Sequence, residues 1–206
     1  MLRLALSLLA CLVAVSSLNA TIAPTDHPGA TPILLGLDKV RVELKLDSLQ
    51  RAVLDSIRSE YKSAVRKLTN PMPVTPEQRA AAEKELVAIN ERYNQRALSV
   101  LNDAQRKRFV QIEHQVLGAG MLYSPKVQSK LALTVDQKKQ VNTALDQEKA
   151  YVAKINRQFE AGKISYQDRL ELLRNRRLAQ GESLLKLLTP GQRDTFLALG
   201  GEKIAL

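Results

Sequence analysis

The chain has little of what most enzymes and metal proteins rely on. Its 206 residues include one Cys, two His and no Trp, and aromatic residues make up only 4%. The one Cys, Cys11, lies in an apolar N-terminal stretch that reads as a secretory signal, so no disulfide and no thiolate metal site is expected after processing. His27 falls in a segment with Pro24, Pro28 and Gly29, and His114 stands beside Glu113. A metal site needs several convergent ligands. Neither histidine has companions at ligand spacing, so His114 reads as structural, and no metal or cofactor is expected. A nucleophile elbow and a Gly-rich phosphate loop are also missing, and acidic pairs are scattered over solvent faces. These absences favour a non-enzymatic chain. No stretch alternates polar and apolar residues at period two, which argues against strands.

What is present begins with residues 1–20. Arg3 supplies a positive start, Leu4 to Val15 an apolar run, and Ser16 to Ala20 a small, polar cleavage region. The run is too short to span a bilayer. The chain is therefore expected to be exported, through a signal peptide cleaved after Ala20. Net charge is +10, and about +9 once Arg3 is removed. Such a surface suits protein clients with acidic segments, an envelope protein partner, or peripheral contact with an anionic membrane. Few aromatics and a secretory signal argue against nucleic acid.

The most regular feature is a five-residue phrase: an aliphatic residue, a short polar residue, two variable residues, then Gln. It occurs at Leu46–Gln50, Val74–Gln78, Leu101–Gln105, Leu133–Gln137 and Leu188–Gln192. Asp47, Thr75, Asn102, Thr134 and Thr189 are the expected helix N-caps, with Gln reaching back to the cap amide as a capping box. Pro76 and Pro190 fit the first helical position, where a missing N–H costs nothing. The next residue is basic each time: Arg51, Arg79, Arg106, Lys138 and Arg193.

Sliding the chain by 87 residues lays Gln50 on Gln137, Leu101 on Leu188, Gln105 on Gln192 and Phe109 on Phe196. A fixed offset over caps and apolar positions signals an internal repeat. The spacing predicts helices over about 47–69, 76–100 and 103–117, then from 135 to about 160, 166–187 and 190–199. In the first long helix the expected core stripe includes Leu49, Val53, Ile57, Tyr61, Ala64 and Leu68. Antiparallel pairing would place Tyr61 opposite Ile89, Phe159 opposite Tyr166 and Val152 opposite Leu173. The same register puts Glu148 opposite Arg177 as a cross-helix ion pair. The expected fold is all-α: two pseudo-repeated antiparallel helical hairpins, each with a short third helix. Its parts are a signal peptide (1–20), a flexible arm (21–43), a first repeat (44–117), a linker (118–130) and a second repeat (131–206).

The densest cationic cluster is Arg174, Arg176 and Arg177; Arg106 and Arg108 form a second. These five are the candidate client contacts, against the simpler reading of solvated helix faces.

Leu133-Thr134-Val135-Asp136-Gln137 and Leu188-Thr189-Pro190-Gly191-Gln192, the latter with Phe196 four residues beyond its Gln, resemble the LTxxQ motif of the Spy/CpxP family of periplasmic proteins. The resemblance implies small helical proteins that form curved dimers of antiparallel hairpins. Some act as ATP-independent chaperones, some restrain envelope-stress signalling, and relatives sense metals. Here the pattern occurs twice over, so each half resembles one subunit. The resemblance makes the expected location periplasmic. The expected state is a monomeric pseudo-dimer or a homodimer. A structural or scaffolding envelope protein is the alternative, with a periplasmic metal sensor behind it.

Overall fold

A computed structural model describes residues 31–204, Met72 and Val74 apart; the side chains of Pro76, Arg79 and Glu83 are also left aside. The expected signal peptide and residues 21–30 lie outside the described residues. The fold is all-α, with no strand among the described residues. It divides into two compact units, one of residues 31–118 with 195–204, the other of residues 119–194.

The first unit is built on α1 (Thr31–Leu34), α2 (Asp38–Glu43), α3 (Ser48–Thr69), α4 (Pro76–Ser99) and α5 (Asp103–Leu117). α3 and α4 run antiparallel: Gln50 at the start of α3 meets the Val100 carbonyl beyond α4, and Tyr61 meets Asn90 farther along. Leu54, Ile57 and Tyr61 are buried with Leu86, Ile89, Tyr93 and Ala97. Each fully buried large aliphatic side chain stabilises by about 1.5–3 kcal/mol. Ile57 and Tyr61 are buried as the stripe predicts, but its first two members are displaced. Leu49 is 74% exposed and Val53 40%, while Leu46 and Leu54 take the buried places. Helical periodicity alone does not choose between adjacent stripes when both are aliphatic.

Residues 31–43, expected as the end of a flexible arm, instead form two short helices that pack one face into the unit. Ile33, Leu34, Leu35 and Val40 are core residues. The Thr31 hydroxyl donates to Glu113 Oε1 at 3.0 Å, and Arg41 Nε donates to the Leu35 carbonyl. Pro32 is tolerated because it falls in the first turn of α1. The C-terminal residues 195–204 also pack in this unit. Phe196 lies on His114, ring centroids 4.5 Å apart. Gln115 Nε2 donates to the Gly200 and Glu202 carbonyls, and its Oε1 accepts from Ile204 N–H.

The second unit contains a 3-10 helix (Gly118–Tyr123), α6 (Pro125–Lys130), α7 (Val135–Glu160), α8 (Tyr166–Lys186) and the start of α9 (Pro190–Ala198). The expected linker 118–130 is thus helical, with Leu122 and Val127 in the core. α7 and α8 pack antiparallel in the predicted register: Phe159 meets Tyr166, Asn156 meets Arg169, and Gln137 meets the Leu187 carbonyl.

The turns leading into α3 and α7 match bond for bond. Lys45 and Ala132 are left-handed, at φ 51° and 48°. Leu46 N–H bonds the Arg41 carbonyl and Lys45 N–H the Val42 carbonyl; Leu133 to Gln128 and Ala132 to Ser129 repeat this 87 residues on. This is the Schellman ending of a helix.

Candidate functional site

The five phrases act first as caps. Asp47, Thr75, Asn102, Thr134 and Thr189 each accept from the amide of the following Gln, whose Oε1 accepts from the cap residue's own N–H. Four of the glutamines do more. Gln50 and Gln105 lie amide to amide: each Nε2 donates to the other's Oε1, at 2.9 and 3.1 Å. Gln50 also donates to the Val100 carbonyl and Gln105 to the Leu44 carbonyl. Gln137 and Gln192 repeat the pattern at 2.8 and 3.0 Å, reaching the Leu187 and Leu131 carbonyls. Every donor and lone pair of the four amides is used. The clasp joins the start of a long helix to the turn after its partner.

The clasp accounts for the choice of Gln. Capping needs only an acceptor, which Glu supplies equally well. Glu would lose both donors and set two carboxylates against each other. All five phrases carry Gln and none Glu, but a lone cap accepts Gln as readily, so the residue choice by itself does not reveal the clasp. The basic residue that follows finds a local partner in the first unit: Arg51 and Arg106 each donate Nε to the carbonyl opening their phrase, Leu46 and Leu101, at 2.9 Å.

The candidate arginines are not equivalent. Arg174 and Arg177 are exposed. Arg176 is half-buried, with Nε 3.4 Å from Glu148 Oε2 and its guanidinium over the Tyr151 ring. The expected Glu148–Arg177 pair is therefore corrected by one position. The register was right, but a one-residue step turns a helical side chain by about 100°, and it is Arg176 that points across the seam. Burial raises the Glu148 carboxyl above its ordinary pKa, against the pull of Arg176 and Arg177. Tyr123 lies close enough to feel the same charge, and burial pushes its hydroxyl up to about 12. Arg106 is exposed but held by the Leu101 carbonyl. Arg108 is committed to Glu43 at 2.6 Å and to Gln111. Exposure leaves Arg174 and Arg177 as the freest of the five to meet a partner.

An open groove of about 520 Å³ runs along the base of the α7–α8 pair, floored by Ala144, Leu184 and Leu187 and edged by Asp136, Lys139 and Ser183. In the first unit the position matching Ser183 is Arg96, bidentate to Glu60. The small serine leaves open the space that Arg96 fills. Two of the groove's edge positions, Asp136 and Gln140, match Leu49 and Val53, exposed aliphatic residues of α3.

Among the described residues, no group of three or more His, Cys, Asp and Glu is placed to hold a metal ion. Comparison of the chain with models of known families, with characterised proteins and with solved structures finds no match.

Proposed function

We propose that this chain is a periplasmic, non-enzymatic binding protein of the Spy/CpxP kind, acting as an ATP-independent chaperone or envelope-stress modulator. Its two units are two copies of one clasped helical hairpin, and the chain is a monomeric pseudo-dimer. The glutamine clasp supports the duplication, because the same four hydrogen bonds recur between equivalent atoms 87 residues apart.

The observation that carries the binding reading is exposed aliphatic surface on a strongly basic chain. Val42, Leu49, Leu178 and Leu197 are each 60–74% exposed, while net charge is +10. Cationic surface raises the local concentration of acidic or unfolded segments. Exposed aliphatic side chains then hold them weakly and without sequence preference. Arg174 and Arg177 are the cationic contacts of choice.

An aggregation assay with a denatured client and the purified, processed protein tests this. Suppression at stoichiometric amounts, weakened in Leu49→Ser and Arg174→Ser/Arg177→Ser, is expected. No suppression by the parent protein refutes the chaperone reading and leaves the scaffolding alternative, for which crosslinking in the native envelope would return one stoichiometric partner. Light scattering should find a monomer at micromolar concentration, and a tight dimer would contradict the pseudo-dimer.

A further inference from the structure

The chain has eight aromatic residues, three Phe and five Tyr. Phe109, Phe196, Tyr61 and Tyr93 are buried, and Tyr123 and Tyr151 half-buried. The two exposed ones, Phe159 at 38% and Tyr166 at 46%, sit together at the α7–α8 tip, edge to face with centroids 6.2 Å apart. Rings wanted only for packing would not both be left in solvent. The tip is shaped by Gly162 at φ 65°, closing α7 with Lys163 N–H on the Gln158 carbonyl. Ile164, between the rings in sequence, is half-buried and packs on Val152, Ile155 and Leu173, anchoring the tip.

Charge surrounds them. Lys154, Arg157 and Lys163 are exposed on the same tip. Arg169 is buried and stacks over Phe159 at 5.6 Å, its Nε donating to the neutral Asn156 Oδ1. The acidic groups there are Glu160, Asp168 and, level with Lys154, Glu171; Asp168 is occupied with the Ser165 cap and Glu160 lies close enough to act on Arg169. Residues 119–194 carry 14 Lys and Arg against 8 Asp and Glu. The other tip, at 70–75, has no aromatic residue.

We propose that the α7–α8 tip is a peripheral docking point for an anionic lipid bilayer, with Phe159 and Tyr166 entering the headgroup layer and Lys154, Arg157 and Lys163 meeting lipid phosphates. Aromatic rings prefer the boundary between headgroups and acyl chains. Long basic side chains lay their stems on apolar surface and keep their charge at phosphate level. Basic residues near an anionic leaflet add attraction that salt screens. No described helix is long and apolar enough to cross a membrane, so the contact is peripheral. The inference goes beyond client binding and does not depend on it.

Vesicle co-sedimentation tests it, with the purified chain on phosphatidylglycerol-containing or pure phosphatidylcholine vesicles. Binding to the anionic vesicles alone is expected. It should fall at least tenfold in Phe159→Ala/Tyr166→Ala, with helical circular dichroism retained, and comparably in Arg157→Glu/Lys163→Glu. A polarity-sensitive dye on Gln167→Cys should shift to the blue on anionic vesicles, and one on Ser183→Cys, at the other end of the pair, should not. No binding to anionic vesicles at low salt overturns the proposal. So does anionic binding that survives the aromatic substitutions, which would mean diffuse attraction by the whole basic chain. Polyglutamate capture at the tip with vesicles ignored would assign the site to acidic polypeptide instead. The client assay is read separately, so its failure would leave this result standing.

Discussion

In the α3–α4 pair the seam is apolar: Ile57, Tyr61, Ile89 and Tyr93 meet there, closed by one neutral bond from the Tyr61 hydroxyl to Asn90 at 3.1 Å. In the α7–α8 pair the same four positions hold Ala144, Glu148, Arg176 and Gln180. Glu148 faces Arg176, and Gln180 Nε2 donates to the Ala144 carbonyl. Arg169 stands where the first pair has Ala82. Cap, turn and clasp are common to both pairs; the interior between the helices is not. An interior polar group must be bonded or it costs free energy, so the second pair depends on a few specific bonds where the first depends on area. One buried cluster of the second pair is built from Val152, Ile155 and Leu173, with Tyr151, Ile164 and Leu172 packed against it.

The largest test moves one residue across the comparison. Ile89→Arg puts the guanidinium of Arg176 into a seam with no carboxylate opposite, and should destabilise by roughly 3–5 kcal/mol in denaturant unfolding. The double change Glu148→Leu/Arg176→Leu should be neutral or stabilising. Equal costs for both would mean the two seams are not different in kind.

Next is the clasp. Gln137→Glu keeps the cap but removes two donors, leaving the Leu187 carbonyl and Gln192 Oε1 without theirs. A loss of about 1–3 kcal/mol is expected, and Gln50→Glu should match it. A loss in only one unit, seen by thermal unfolding, would break the equivalence that the bonding pattern suggests.

Smaller effects come from the turns and caps. Ala132→Gly relieves a left-handed alanine and should stabilise by about 1 kcal/mol, as should Lys45→Gly. Thr134→Ala and Thr189→Ala should each cost about 1 kcal/mol. Hydrogen exchange along α7 and α9 would localise the change.

Glu148→Gln gives the smallest effect and the most diagnostic sign. Burial holds the folded-state carboxyl above its ordinary 4.5, so the folded state binds its proton more tightly than the unfolded. That contribution is fully present below pH 4.5 and is lost as pH rises through the folded value. At neutral pH the glutamine variant should equal or exceed the parent by about 0–1 kcal/mol, a small value because the pair is partly solvated. The gap should close in acid. A variant less stable at neutral pH would show that the Arg176 pair outweighs burial.

The capping phrases fixed where helices begin because a cap is a local event: Thr134 needs only the amide three residues on. The register of the α7–α8 pair was legible too, since apolar residues on two linked helices must face each other. Other features needed the folded chain. Leu49 and Leu54 are alike in sequence, and only packing put one in water and the other inside. The clasp depends on glutamines 55 residues apart, and Gln serves a lone cap just as well. Arg176 rather than Arg177 meets Glu148 through a rotation of one helix that composition does not encode. The packing of Ile33, Leu34, Leu35 and Val40 into the first unit and the placing of Phe196 with His114 are long-range choices. Hydrophobic burial has no direction, so a chain with two similar halves specifies its apolar surface locally and its partners only through the completed fold.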